Sequence, residues 1–533
     1  MIDTNINLHK RAIIRFPELD ERLIRKYSKN DGLLAANATA VIPADTNGWD
    51  TVFAIRIKDV NSAIRLQKSS PADFSQHYLD PETDDDITIT GVFGDWQLTT
   101  SGDGKNLHMS VPIKTGTMTR NGKPYDMAGD VATIEVNCDF VPPPVKGITP
   151  SKDGTLHDLK LRTTSDDLLT PPVSVTGLNF ASKNPGMVIE SIMKGVLEIW
   201  FNLNLSSFNQ VFAVANLNLL ADGSDGSFQW LQPTWSSYAC SSGPDEESSF
   251  FGVLCMIDNH DPSGLAHQLS SAAIPTDQRS SFMISTPMFM QYIVLPGLPG
   301  AFVNAQASDF EMANNNTSIV NKSGVKLEME GVKEGAITYT PYVTSFELIL
   351  EASEIKTTMK TTINISPGIN AYVDTITHDT IQLHTTTANG VTKQYLDYKQ
   401  VKDPEVSSYT HTDDWVIITE AIAAIIVAVI GVAVGAVLDD LLPRIITAII
   451  VIIVAGVISS ISVIIEQVIA KGAAESMPPI DPLVSAATNP IKWPTSADFT
   501  LTDARINGTF QLLGDPNFAD SPAQLQAIMQ KAG

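Results

Sequence analysis

Two long apolar runs dominate the pattern of hydrophobic and polar positions, and both lie within residues 415–471. The first run carries one charge, Glu420, and the second carries none between residues 445 and 465. Each run is long enough to cross a bilayer as a helix, for which roughly 20 apolar residues suffice. Because Ile, Val and Ala occupy all sides of the helical wheel, the pattern predicts that apolar material encloses each helix on all sides.

Polar and helix-breaking residues predict where these helices begin and end. Thr412 can cap the first helix, because a threonine hydroxyl accepts a hydrogen bond from a free backbone N–H. Pro443 lacks an N–H group and interrupts a helix, and Gly472 suits a helix end. The pattern therefore predicts an apolar helical hairpin, or a kinked pair of helices, over residues 415–471 that is broken at Pro443. Either a bilayer or the protein itself encloses it.

Alternating polar and apolar residues elsewhere predict antiparallel strands with one wet face. The alternation is clear at residues 107–113 and 132–140, and it returns in a second series of segments after residue 319. At residues 186–201 the apolar period changes to 3.6, which predicts a helix that covers a sheet face. Strands with one apolar face need a cover, and the apolar hairpin follows directly after the second series. We therefore predict an α+β fold of long curved antiparallel β-sheets wrapped around long apolar helices.

Shifts in composition predict five regions along the chain. Residues 8–30 contain seven Lys or Arg and three acids. Such a stretch is typical of a basic arm for an acidic membrane or partner, or of a solvated helix packed on the body. The predicted regions are a basic N-terminal arm (1–45), a first β-rich region with the helix 186–201 (46–303), a polar linker (304–318), a second β-rich region with the hairpin (319–515) and a C-terminal helix and tail (516–533).

Charge and cysteine content narrow the class of protein. The chain has 35 Lys and Arg against 59 Asp and Glu, and the resulting net charge of −24 repels a phosphate backbone. We therefore expect no nucleic-acid partner. The 3 cysteines lack CxxC spacing, which predicts neither a disulfide framework nor a zinc site. The first 30 residues contain no apolar core of signal-peptide length, so we expect cytoplasmic synthesis and, for any extracellular role, release by a non-classical route.

The sequence offers little that is typical of catalysis. It contains no Walker-type phosphate loop, no HExxH zinc motif and no GxSxG nucleophile elbow. Asp258, His260 and Asp261 could hold a metal ion or act as a base, but a polar turn after a strand explains them better, because no second ligand cluster lies nearby in sequence. We therefore expect no catalytic residue, no metal site and no cofactor, and we expect that the protein is not an enzyme.

Several segments resemble a known family. These segments are TNGWDTVFAIRIKDVNSAI, ITGVFGDWQLTTSGDGKNLHMSVPI, SFFGVLCMI and DFTLTDARINGTFQLLG. Together they resemble the TULIP (tubular lipid-binding) proteins of the P-forty-seven-like and OrfX type, which are encoded beside clostridial neurotoxins and related insecticidal toxins. The resemblance covers roughly residues 46–513 and implies curved sheets around long helices and a lipid-binding role as a toxin accessory. It includes neither the basic arm nor the tail after Gly514.

The leading functional hypothesis is a non-enzymatic binding protein that takes up a lipid, an acyl chain or another hydrophobic ligand, or docks on a membrane surface. One face of each apolar run would line the groove: Ile418, Ile422, Ile425, Val429, Val432, Ile446, Ile449, Ile453 and Val457. The same residues are also typical of a packed core without room for a ligand. Two further hypotheses stay open: a membrane-inserting protein that uses residues 415–471 as a pore or anchor, and a structural partner that assembles with a toxin or with other TULIP chains.

Overall fold

The structure is a computed structural model with two compact units. It describes residues 13–28, 42–144, 149–164, 171–182, 184–220, 227–388, 391–456 and 461–532. The first unit consists of Met1–Pro43, Ile284–Leu483 and Asp503–Gln511, and the second of Ala44–Met283, Val484–Thr502 and Leu512–Gly533. The five regions predicted from composition stay predictions.

An eight-stranded sheet, which we call the large sheet, dominates the first unit. In sheet order its strands are Ile14–Arg15, Val391–Thr412, Ile369–Ala388, Glu354–Ser366, Pro341–Glu351, Ser318–Asn321 and Phe310–Ala313, with Leu327–Glu328 also paired to Pro341–Glu351. Neighbouring strands pair antiparallel, and the two longest contain 20 and 22 residues. Strands Val332–Glu334 and Ile337–Tyr339 form a separate two-stranded sheet. The strand series predicted after residue 319 is therefore confirmed.

Helices pack against this sheet. Those of the first unit are Pro17–Tyr27, a helical stretch made of Thr286–Phe289, Met290–Val294, Leu295–Gly297 and Leu298–Ala301, the short Ala307–Asp309, the helix Glu420–Ala455, and the helices Ile461–Lys471 and Ala473–Ser476. We call Glu420–Ala455 the long helix and Ile461–Lys471 the return helix. The long helix contacts Glu354–Ser366, Ile369–Ala388 and Val391–Thr412 of the large sheet. The α+β class with antiparallel sheets is thus confirmed.

The long helix begins later than the sequence predicts. Thr412 is the last residue of a strand, so its prediction as a helix cap is wrong. The cap is Thr419, whose hydroxyl accepts a hydrogen bond from the backbone N–H of Ile422 at 3.3 Å. Glu420 follows in the first turn, where the positive end of the helix dipole favours a carboxylate. This position explains the single charge of the first apolar run.

Pro443 does not break the helix, so the predicted position of the hairpin turn is wrong. A π-helical segment, Ala436–Leu441, precedes the proline, and the N–H of Leu442 bonds to the carbonyl of Val437 five residues earlier. Because proline lacks an N–H and its ring crowds the preceding turn, a widened turn at this point lets the helix continue. The helix ends instead at Gly456, which adopts the left-handed conformation at φ 65°. After residues 457–460, which lie outside the described part, the return helix packs against the second half of the long helix.

Burial differs between the two halves of the long helix. From Ile445 to Val454 every residue is buried. In the first half, only one stripe is buried, and it consists of Ile426, Val429, Ile430, Ala433 and Val434. The prediction that apolar material encloses both runs on all sides therefore holds for Ile445–Val454. It is wrong for the first run and for the return helix, where Val463 is 60% exposed.

The described part of the basic N-terminal arm packs on the first unit. Strand Ile14–Arg15 pairs with Tyr409 and Thr410 at the edge of the large sheet, and helix Pro17–Tyr27 buries Leu23. These contacts agree with the interpretation of a helix packed on the body. Residues 1–12 and 29–41 of the arm lie outside the described residues.

The second unit is built from further antiparallel sheets. A seven-stranded sheet contains Val173–Asn179, Val131–Val136, Leu107–Arg120, Asp86–Phe93 and Asp73–Leu79 in that order, with Gln97–Leu98 and Lys123–Asp126 paired to Leu107–Arg120. A four-stranded sheet contains Ile491–Lys492, Ala213–Leu217, Thr155–Leu161 and Cys138–Val141. A six-stranded sheet runs in the order Pro233–Ser241, Phe250–Ile257, Thr51–Arg56, Ser280–Ile284, Phe510–Asp515 and Thr500–Ile506. The alternation predicted at residues 132–140 is thus shared between two sheets.

The helices of the second unit include the one that the sequence predicts at residues 186–201. It spans Met187–Asn204 and contacts the seven-stranded sheet, with Trp200 packed against Phe93 at a ring separation of 5.1 Å. That prediction is confirmed. Other helices are Ile57–Gln67, Leu205–Ser207, Gln229–Leu231 and Pro522–Ala532, and Asp481–Thr488 joins the end of the first unit to the second.

Candidate functional site

The residues predicted to line a groove fall into two groups. Five are buried: Ile418, Val429, Ile446, Ile449 and Ile453. Three lie on the first half of the long helix with partial or full exposure: Ile422, Val432 and Ile425. Val457 lies outside the described residues. The structure therefore does not gather the eight described residues on one surface.

The buried stripe of the first half belongs to the core of the first unit. It packs against Ile363, Ala371 and Val373 of the large sheet and against Leu23 of the N-terminal helix. All four side chains are buried, and the packing surrounds the stripe from the sheet side. These helix residues act as core.

The opposite side of the same half is apolar and exposed. We call it the outer face, and we define it as Ala421, Ala424 and Ile425 of the helix together with the exposed Trp415 and Ile417 of the segment just before the helix. The exposed fractions are 68% for Trp415, 69% for Ile417 and 46% for Ile425. The indole N–H of Trp415 donates to the carboxylate of Asp413 at 3.3 Å, and its ring covers Gly368 of a strand turn. Exposed apolar groups of this size in one place mark interaction surfaces more often than solvated ones.

A polar pocket of about 190 Å³ lies beside the π-helical segment. We call it the acidic pocket. Its polar lining residues are Tyr27, Thr377, Asp379, Tyr398, Gln400 and Asp439, and its apolar ones are Pro404, Leu438, Leu442 and Pro443. None of the eight predicted groove residues that the structure describes lines it. The pocket therefore differs in place and chemistry from the predicted apolar groove.

Hydrogen bonds connect the N-terminal helix to the rim of this pocket. The hydroxyl of Tyr27 donates to a carboxylate oxygen of Asp439 at 2.9 Å, and the ammonium of Lys26 donates to the Tyr27 hydroxyl at 2.9 Å. Burial raises the pKa of Tyr27, with the hydrogen bond from Lys26 opposing the shift and the one to Asp439 adding to it. The Tyr27 hydroxyl therefore keeps its proton and orients the Asp439 carboxylate at neutral pH.

Buried threonines surround the same region of the large sheet. The hydroxyls of Thr357, Thr361, Thr375, Thr377 and Thr410 make no hydrogen bond within the described part of the chain. Thr357 lies directly opposite Thr377 on the neighbouring strand, and Thr377 lines the pocket. Leaving a buried hydroxyl without a partner costs roughly 1–3 kcal/mol. These hydroxyls are therefore unusual in a sheet that faces an apolar helix.

One cluster of acids and histidine has the spacing of a metal site among the described residues. It contains Glu351, Glu354 and His378. Glu354 already accepts from Lys402 at 2.7 Å and lies 2.9 Å from His378, and Lys356 bonds to Glu351 at 3.1 Å. Two lysines thus occupy the carboxylates that a metal ion would need.

The turn with Asp258, His260 and Asp261 has structural contacts. A ring nitrogen of His260 lies 2.9 Å from the Asp50 carboxylate, and Asp261 accepts from the hydroxyl of Ser263 at 2.7 Å. Burial raises the pKa of Asp50, while the N–H of Ile257 and His260 oppose that shift. These contacts fit the turn interpretation.

Sequence reasoning did not find the acidic pocket. In the sequence, Asp439 is simply one of the polar residues that separate the two apolar runs, and Tyr27 lies 412 positions before it. Thr377 and Asp379 belong to a strand whose alternation gives no functional signal. The pair of acids before a proline, in an otherwise uncharged helix, was the one signal that could have pointed there.

Comparison with known proteins gives the family. The sequence model of the family described as "OrfX-like: Protein OrfX2/OrfX3/P47" matches residues 46–514. Protein OrfX3 of Paraclostridium bifermentans is 29% identical over 499 residues, which cover 88% of this chain and 98% of the relative. Protein OrfX3 of Clostridium botulinum (strain Kyoto / Type A2) is 27% identical over 390 residues, which cover 68% and 78% respectively.

A solved structure supports the fold. The structure of P47 from Clostridium botulinum A2 is similar with a TM-score of 0.57 at 18% identity, covering 89% of this chain and 98% of that chain. At this identity the likeness concerns the fold alone. The family match, in contrast, spans most of the chain and agrees in its borders with the resemblance seen in the sequence. This chain is therefore a member of the OrfX-like family.

Proposed function

We propose that this protein is a non-enzymatic accessory protein of a bacterial toxin system that binds lipid or another hydrophobic ligand through the outer face of the long helix. The observation that carries this proposal is the exposure of Ile425 on a helix whose other side is core, together with the exposure of Trp415 and Ile417 in the segment just before that helix. The role beside a toxin rests on the resemblance to the P-forty-seven-like and OrfX type.

The energetics favour binding at the outer face over uptake into the interior. Ile446, Ile449 and Ile453 are fully buried. Opening the core around them would lose the free energy of burial, which is roughly 1.5–3 kcal/mol for each isoleucine side chain. The outer face needs no such opening. Transferring its isoleucines and tryptophan from water to hydrocarbon releases the same kind of free energy without breaking existing contacts.

The charges near the outer face favour a neutral or zwitterionic surface. Glu420, Asp413 and Asp414 are exposed at this end of the helix, and the whole chain carries a net charge of −24. An anionic membrane would repel these groups. A tryptophan at the start of the apolar face suits the boundary between headgroups and acyl chains.

Membrane insertion is the second candidate, because the long helix has the length and apolar composition needed to cross a bilayer. Insertion would separate the buried stripe of the long helix from the large sheet, so the stripe would lose its packing contacts. It would also break the ion pairs of Arg444 with Asp440 and Glu466. Both costs disfavour it relative to docking at the surface.

Flotation with phosphatidylcholine vesicles tests the proposal. We expect the natural protein to float with the vesicles and the double variant I417S/I425S to bind about tenfold or more weakly, since each isoleucine that enters the bilayer contributes about 1 kcal/mol or more. The matched control L156S replaces an equally exposed leucine of the second unit and should bind like the natural protein.

The outcomes separate the hypotheses. Equal flotation of I417S/I425S and the natural protein, or no flotation of either, would contradict the proposal. Bound protein that resists extraction by carbonate at high pH would support insertion instead. Loss of a co-purifying protein partner in I417S/I425S, without any effect on vesicles, would support assembly with another chain.

A further inference from the structure

We propose that the acidic pocket is a binding site for a small organic ammonium ion, either free or carried by a lipid headgroup. The inference does not depend on the outer face, because no residue of that face lines the pocket. It rests on the backbone around the pocket, the charge of its walls, its size and one buried hydroxyl.

Both walls of the pocket are irregular at the residues that line it. On the sheet side, the pairing between Ile369–Ala388 and Val391–Thr412 shifts register between Ile376 and His378 and again between His378 and Asp379. On the helix side, the π-helical segment Ala436–Leu441 contains Asp439. Bulges and π-helical turns redirect side chains and occur often beside functional sites. The register shift lies beside Asp379, and the π-helical segment contains Asp439. The pocket therefore has one carboxylate on its sheet wall and one on its helix wall.

The lining has the chemistry of a cation site. Two carboxylates, those of Asp379 and Asp439, share the pocket with the rings of Tyr27 and Tyr398. Carboxylates supply charge, and aromatic rings attract ammonium groups through their electron-rich faces. Burial raises the pKa of Tyr398 to about 12, and the charges of Asp379 and Asp397 add to the shift. Its hydroxyl therefore stays neutral and adds no further charge.

The nearby cations do not fill the pocket. Lys26 is exposed at the rim, where its ammonium bonds to the Tyr27 hydroxyl and lies 4.7 Å from the centre of the Tyr27 ring, so it covers one face of that ring. Lys402 bonds to Glu354. Arg444 pairs with Asp440 and Glu466. None of these three side chains belongs to the lining.

The size favours an organic ion over a metal ion. A pocket of about 190 Å³ has room for several waters, whose share of liquid volume is about 30 Å³ each, or for an ion of the size of ethanolamine or choline. A metal ion needs three or more ligand atoms close together. Among the described residues, that spacing occurs at Glu351, Glu354 and His378 and not at Asp379 and Asp439.

Thr377 independently supports a polar ligand in the acidic pocket. Thr377 lines the pocket, only 2% of this residue is exposed, and its buried hydroxyl has no hydrogen-bond partner in the described part of the chain. A valine would have the same shape and would avoid the cost of a buried unpaired hydroxyl. A hydroxyl here is explained if it bonds to an ammonium N–H or to the hydroxyl of an amino alcohol.

Isothermal titration calorimetry of the whole protein with ethanolamine, choline and tetramethylammonium chlorides tests the inference. Sodium chloride at equal ionic strength and inorganic phosphate serve as comparison solutes. We expect saturable binding of at least one ammonium ion, and we expect D439N to weaken it about tenfold, because the variant removes a negative charge. We expect T377V to weaken the binding of ethanolamine, which has N–H and O–H donors, about tenfold, because it removes a hydrogen-bonding partner. The matched control D440N removes the neighbouring charge, which faces Arg444, and should leave the affinity unchanged.

Thermal unfolding without ligand shows whether the T377V variant folds like the natural protein. Without ligand, T377V should unfold at the same or a higher temperature than the natural protein, so its loss of binding would not reflect misfolding. Absence of saturable binding by all three ammonium ions would overturn the inference, and so would binding of phosphate or an equal effect of D440N. Vesicle binding that depends on ethanolamine or choline headgroups and on Asp439 would identify a lipid source, whereas binding of the free ions alone would identify a small solute.

Discussion

Ile425 and Ile449 show how position decides the role of a residue. Both are isoleucines of the long helix and both belong to the predicted groove, yet 46% of Ile425 is exposed and none of Ile449. Nothing in the local sequence distinguishes them, because each is surrounded by Ile, Val and Ala. Only the packing of the helix on the large sheet separates core from surface.

Truncating these two isoleucines should have unequal effects. We expect I449A to lower the free energy of unfolding by about 2–5 kcal/mol, since it leaves a cavity in an enclosed site. We expect I425A to lower it by less than about 1 kcal/mol. Urea unfolding monitored by circular dichroism measures both, and equal losses would show that Ile425 is also core.

An ion pair in the second unit gives a prediction about pH. Burial raises the pKa of Asp59, while the guanidinium of Arg279, 2.8 Å away, opposes that shift. Because the folded state binds the Asp59 proton more tightly than the unfolded chain does, ionising this group lowers stability as the pH rises above about 4. Arg279 limits this loss at neutral pH.

Removing the guanidinium should therefore destabilise the second unit most at neutral pH. We expect R279M to cost about 3 kcal/mol at pH 7, because it leaves a buried carboxylate unpaired, and less as the pH falls towards 4 and Asp59 takes up a proton. The double variant D59N/R279M should recover part of the loss. Thermal unfolding at several pH values checks this, and a loss that grows on acidification would contradict it.

At the scale of elements, the long helix shows where local rules fail. A proline after two acids predicts a break, but a π-helical segment before Pro443 accommodates the ring and the helix continues to Ala455. The chain turns at Gly456, where a left-handed conformation is needed. By contrast, alternation predicted the strands well, because a half-buried strand must alternate whatever lies above it.

Substitutions at these two positions test where the helix ends. We expect G456A to destabilise the protein by roughly 1–2 kcal/mol, the cost of a left-handed conformation for a residue with a Cβ. We expect P443A to leave stability unchanged or to raise it, because alanine restores a backbone donor inside a helix. A hairpin broken at Pro443 would give the opposite order in chemical unfolding.

At the scale of the whole molecule, the sequence predicted the fold class and the family but not the sites. The segments that carry the resemblance lie within residues 46–514, where the family matches. The outer face could not be foreseen, since a helix without a polar side gives no sign of which side is covered. The acidic pocket combines residues from the N-terminal helix, two strands and the long helix, and only the tertiary fold brings them together.

The net charge of −24 sets an expectation for lipid preference. Adding anionic lipid to phosphatidylcholine vesicles should weaken binding, and salt should restore it, because screening shortens the range of repulsion to about 8 Å at physiological ionic strength. Flotation across a series of lipid compositions and salt concentrations measures this. Stronger binding to anionic vesicles that salt abolishes would indicate attraction by the basic N-terminal arm instead.

The most direct test of the outer face uses an environment-sensitive dye at single positions. The three natural cysteines are buried, so I425C and the control K326C, at an exposed lysine of the first unit, can each be labelled selectively with a nitrobenzoxadiazole dye. On addition of phosphatidylcholine vesicles, we predict a blue-shifted and brighter emission from the dye at position 425 and no change at position 326. Unchanged emission at 425, or equal shifts at both positions, would contradict the claim that this face of the long helix binds lipid.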